Sequence, residues 1–69
     1  MMRDKNRQIV AAGDILLDGG GIYEVEEVRE TQVLVHEVEI DEDGHFERVS
    51  DTWYWTKIDL ARTEKIWQV

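Results

Sequence analysis

The densest group of potential ligand side chains in this 69-residue chain is Glu39, Asp41, Asp43 and Glu47, set around Gly44. Alternating carboxylates ahead of a glycine suit a hard cation such as calcium, which collects about six to eight oxygen ligands from one loop. The position that should supply a bidentate glutamate is Ser50, and both flanks alternate as strands rather than helices. The group therefore reads as a solvated hairpin tip, and no metal is expected. His36 and His45 are the only histidines, and with no cysteine beside them they do not make a zinc site. Each reads as a strand residue. Acid/base catalysis needs two carboxyls in unlike environments within a cleft, and nothing singles out such a pair here. Gly19-Gly20-Gly21 matches neither phosphate-binding nor dinucleotide-binding spacing. No cofactor and no enzymatic activity are expected.

Charge is the main functional signal. Sixteen acidic residues against eight basic ones give a net charge of −8. Residues 24–51 contain eleven of the acids, Glu24, Glu26, Glu27, Glu30, Glu37, Glu39, Asp41, Glu42, Asp43, Glu47 and Asp51, against Arg29 and Arg48 alone. Affinity for a phosphate backbone comes from Lys and Arg displacing counterions, so direct nucleic-acid binding is not expected. Two readings of the acids stay open: a device for solubility, or a face that attracts a basic protein. Trp53-Tyr54-Trp55 adds a second signal, because on a strand the central ring must face away from its neighbours. Either the two tryptophans form the core and Tyr54 is half exposed, or the triplet lines an interface.

The elements that position these residues are strands. Apolar and polar residues alternate along the chain, and no window carries a sustained helical stripe. The fold class is all-β, with five or six short strands and one helical turn before the last. Residues 1–8 are charged and read as a flexible arm, of which residues 1–7 should be removable without loss of cooperative unfolding, and residues 9–69 as a single small domain. Asp18 to Gly21 breaks the first strand from a second over Ile22 to Arg29. There Val28 follows Val25 by three positions, which predicts a bulge at Glu26-Glu27. A third strand covers Gln32 to Ile40. Asp41-Glu42-Asp43-Gly44 predicts a type I turn closed by a left-handed glycine. The return strand, His45 to Thr56, carries a possible interruption at Ser50-Asp51. Asp59 is read as the cap of a helical turn, and Ile66, Trp67 and Val69 as the apolar end of the last strand. On simple alternation, Glu24 and Glu26 should project beside Glu37 and Glu39 from neighbouring strands and repel them.

The element order, with Gly13-Asp14, Tyr23 and Trp53-Tyr54-Trp55, resembles the small SH3-like barrels, including the KOW and Tudor groups. The resemblance covers about residues 13–68 and lies at the level of fold. The chain lacks the Ala-Leu-Tyr-Asp-Tyr signature of signalling SH3 domains and the basic surface of nucleic-acid-binding barrels, so neither function is carried over. Similarity to the Tudor group implies a cage in which Tyr23, Trp53, Tyr54 and Trp55 converge with a carboxylate on a methylated ammonium.

In size and charge the chain also resembles small acidic inhibitors encoded by phages. The expected function is a non-enzymatic interaction module whose carboxylates, Glu24, Glu26, Glu27, Glu37, Glu39, Asp41, Glu42, Asp43 and Glu47, together with Tyr54, meet a basic protein and occupy its nucleic-acid-binding surface. The alternative is a structural accessory subunit, or homo-oligomer, assembling through a sheet edge and the aromatic stripe. The absence of cysteine, of a signal core and of a long apolar run leads to the expectation of a cytoplasmic chain that contacts no membrane.

Overall fold

The computed structural model describes residues 1–68; Val69, assigned above to the last strand, lies outside them. Six antiparallel strands form one sheet: β1 (Ile15–Asp18), β2 (Gly21–Val28), β3 (Val33–Ile40), β4 (Phe46–Arg48), β5 (Trp53–Trp55) and β6 (Glu64–Trp67). The single helix among the described residues, α1 (Lys57–Leu60), is one turn long and precedes β6. The strand order is β4-β3-β2-β1-β6, and β5 also pairs with β3. The protein is all-β, as its alternation requires.

Turn chemistry sets the hairpins. β1 and β2 are joined through Gly19 and Gly20, with Asp18 opposite Gly21. Gly19 has φ +63°, a conformation that costs a glycine little. At the β3–β4 turn the Asp41 amide donates to the His45 carbonyl at 2.9 Å, and Gly44 has φ +83°. The expected turn is therefore present. The return strand is interrupted where Ser50 and Asp51 suggested, and its two pieces pair with opposite ends of β3. In the gap, the Ser50 hydroxyl accepts from the Glu37 amide at 2.8 Å and the Val49 amide donates to the Glu37 carbonyl at 3.0 Å. The backbone of Glu37 is thereby satisfied without a regular ladder.

The register between β2 and β3 pairs Val25 with Val35 and then Glu27 with Leu34, leaving Glu26 as the extra residue. The bulge turns both Val25 and Val28 toward the core, which three-residue spacing on a regular strand would forbid. That core gathers Met2, Val10, Leu16, Tyr23, Val25, Val33, Val35, Trp55 and Leu60. Ile15, Leu34 and Val38 are buried outside this cluster, at positions that flank His36 on the opposite face.

Three expectations are corrected. Residues 1–8 do not form a loose arm. Met2 is 2% exposed within the core, the Lys5 amide donates to the Thr63 carbonyl at 2.8 Å, and Arg3 bridges Ile9. The buried Asp4 carboxylate accepts from the amides of Asn6, Gln8 and Lys65 at 2.8–3.0 Å, folding the segment onto β6. A charged composition hid one apolar anchor and one carboxylate that organises amides. Second, Trp55 is buried but Trp53, on the same parity, is 43% exposed at the edge of the core. Third, Asp59 lies inside α1, and its carboxylate accepts from the Thr56 amide at 3.0 Å, so Thr56 is the cap.

Truncating the anchor tests the first correction. Met2→Ala should cost about 2–5 kcal/mol of unfolding free energy by urea denaturation, as for other large-to-small core changes. Stability equal to that of the parent chain would restore the loose-arm reading.

Candidate functional site

The expected single acidic face is divided in two. Tyr23 lies opposite Glu37 and Glu24 opposite His36, so Glu24 and Glu26 do not share a face with Glu37 and Glu39. The repulsion expected between those pairs is absent, because alternation alone could not supply the register.

On the first face, carboxylates are engaged by neighbouring side chains of the same chain. The His36 ring is nearly buried, with Nδ1 2.9 Å from Glu26 Oε2 and Nε2 2.9 Å from Glu24 Oε1. A carboxylate oxygen can only accept, so using both contacts at once takes a proton on each ring nitrogen. Glu26 also accepts from the Thr52 hydroxyl at 2.7 Å and lies 3.7 Å from the Arg48 guanidinium. The Thr52 hydrogen bond, with the His36 bond and Arg48, outweighs partial burial and holds the Glu26 carboxyl below the usual carboxylate range. Glu27 is paired with Arg29. The sequence marks His36 only as a strand residue; the register brings its two ring nitrogens to Glu24 and Glu26.

On the second face, β3 presents Glu37 and Glu39, and β4 presents Glu47 directly opposite Glu39. Glu39 and Glu47 are exposed, and Glu37 is half-buried. None of the three has an ion-pair partner among the described residues, and the Glu39–Glu47 juxtaposition places like charges across a strand pair. Trp53, opposite Val35, and Tyr23, opposite Glu37, belong to this same face. Their ring centroids are 5.5 Å apart, and Tyr23 meets Trp55 edge-on at 4.7 Å. Burial first, then the charges of Glu37 and Asp18, raise the Tyr23 hydroxyl pKa. Glu37 stands directly opposite Tyr23 on the neighbouring strand. Tyr54 is paired with Leu34 on the other face and is 57% exposed. The four aromatic residues do not converge, so the implied cage is not formed.

The hairpin tip carries Glu42, Asp43 and Asp41. Asp41, Asp43 and His45 offer ligand atoms within 4.8 Å of one another, all on exposed residues. Asp41 Oδ1 accepts from the amides of Asp43 and His45 at 2.9 and 2.8 Å, so the turn itself accounts for its placement. Comparison of the chain with protein-family models, curated proteins and solved structures finds no match.

The Glu26 geometry predicts a signed pH effect. A carboxyl lowered by folding contributes stability above its unfolded pKa and loses that contribution as pH falls through the folded value. Glu26→Gln should lower the melting temperature at neutral pH and flatten its decline below about pH 4.3, the ordinary range for glutamate. An unchanged acid limb in thermal denaturation would show that Glu26 does not hold the bulge.

Proposed function

We propose that this chain is a non-enzymatic acidic interaction module that binds a basic surface of another protein, in the manner of small phage-type inhibitors that occupy a nucleic-acid-binding surface. The observation carrying this reading is the second acidic face, where Glu37, Glu39 and Glu47 have no cationic partner among the described residues and the exposed indole of Trp53 lies on the same face. Glu24, Glu26 and Glu27 are already engaged by His36, Arg48 and Arg29, so they are structural carboxylates rather than contact residues. Asp41, Glu42 and Asp43 extend the field at the hairpin tip. Such a field speeds encounter with a basic partner and disfavours acidic competitors. The order of strands and the helical turn before β6 accord with a resemblance to SH3-like barrels, a scaffold level that does not itself assign a function. No described helix is long and apolar enough to cross a membrane.

A second reading is supported by a different surface. β6 ends the sheet, with Trp67 62% exposed and Ile66 beside it. This apolar edge suits the alternative of a structural subunit or homo-oligomer, whose association should survive high salt.

Neutralising the second face separates binding from stability. The triple variant Glu37→Gln, Glu39→Gln, Glu47→Gln should bind a hexalysine peptide more weakly by about 0.2–1 kcal/mol per exposed carboxylate, with a shallower salt dependence. Relieving the Glu39–Glu47 juxtaposition should raise the stability of the isolated domain by about 0.2–1 kcal/mol. Unchanged peptide affinity and salt slope, measured by calorimetry, would reduce these carboxylates to a solubility device.

A further inference from the structure

Resting on the acidic-module reading, we propose that Trp53 is a stacking surface for an arginine side chain of the partner, with Glu37 accepting from the edge of the same guanidinium. Trp53 lies opposite Val35 and Glu37 is two residues further along β3, which makes the two diagonal cross-strand neighbours. Such neighbours are about 7–8 Å apart at the backbone, within reach of an aromatic ring and a long side chain. A guanidinium can lay its face on an indole and direct its N–H edge at a carboxylate at the same time. An ammonium is a compact, strongly hydrated charge that lacks this planar shape.

Both halves of the site are held in place before any partner arrives. Tyr23 backs the Trp53 indole and is itself braced by Trp55. Gly21 makes room for the Tyr23 ring, because a Cβ there would fall 2.8 Å from a ring carbon. The backbone of Glu37 is fixed at its amide by Ser50 and at its carbonyl by Val49. Ordering these groups in advance lowers the entropy lost on binding. The charge is complementary as well, since Glu39 and Glu47 continue the face beyond Glu37 with no ion-pair partner among the described residues. The occupant is therefore an arginine-bearing segment of a basic protein, with neighbouring cations meeting Glu39 and Glu47.

Peptides of equal charge test this directly. The intact protein at low salt should bind hexa-arginine about three- to tenfold more tightly than hexalysine, the range expected for one cation–π contact. Trp53→Leu, which keeps apolar packing on Tyr23, should abolish that preference by weakening hexa-arginine binding more than hexalysine binding. Because a variant can perturb folding, the Trp53 indole N–H resonance of the unaltered protein supplies an independent readout. It should shift on addition of hexa-arginine and much less with hexalysine. Equal affinity for the two peptides, or a preference that survives in Trp53→Leu with a native-like spectrum, would overturn the stacking inference and leave the acidic module standing. Binding of neither peptide would overturn both.

Discussion

Glu26 has no partner residue on β3, and that one-residue excess in β2 determines what each neighbouring carboxylate can do. Without it, Val28 would leave the core. With it, Glu26 meets His36, Thr52 and Arg48 together, tying β2 to β3, to the interrupted return strand and to β4. The same register places Glu24 on the other ring nitrogen of His36. Two carboxylates are thus consumed in holding the sheet, and those of β3 and β4 beyond the core are left facing outward. A net charge of −8 consequently says little about which carboxylates stand open, whereas the register separates those engaged by neighbouring side chains from those that are not.

A second constraint closes the chain. Lys65 on β6 lies 3.2 Å from Asp14 with both side chains nearly buried, and its ammonium also donates to the Ile9 carbonyl. Asp14 accepts from the Ala11 amide at 2.8 Å as well. A buried ion pair offsets its desolvation only when such additional hydrogen bonds are made, and here they fasten the segment before β1 to the last strand. Asp4 reinforces the connection through the Lys65 amide. In a domain whose core is small, these polar ties join the segment before β1 to β6.

Much of the fold was legible in the sequence because its signals are local. Asp41 to Gly44 carries its own turn chemistry, the Val25-to-Val28 spacing marks a bulge, and Ser50-Asp51 marks the break before the tryptophans. The features that were not legible depend on partners far along the chain. Met2 and Asp4 look like parts of a solvated arm until β6, about sixty residues later, returns beside them. His36 has no distinctive spacing; its importance follows from a register that alternation leaves undetermined. Trp53 and Trp55 share a parity and differ only in how far along β3 each is placed, so sequence alone could not say which one would be covered. Of the carboxylates expected to share one face, Glu37, Glu39 and Glu47 do so, whereas Glu24 and Glu26 do not share it.

That division can be observed carboxylate by carboxylate. Side-chain carboxyl carbons of the glutamates can be followed by NMR while hexa-arginine is added to the intact protein at low salt. The expected result is that Glu37, Glu39 and Glu47 shift progressively to saturation, with Glu24 and Glu26 nearly still behind His36. Shifts concentrated on Glu24 and Glu26, with Glu37, Glu39 and Glu47 silent, would contradict the assignment of the second face as the binding surface.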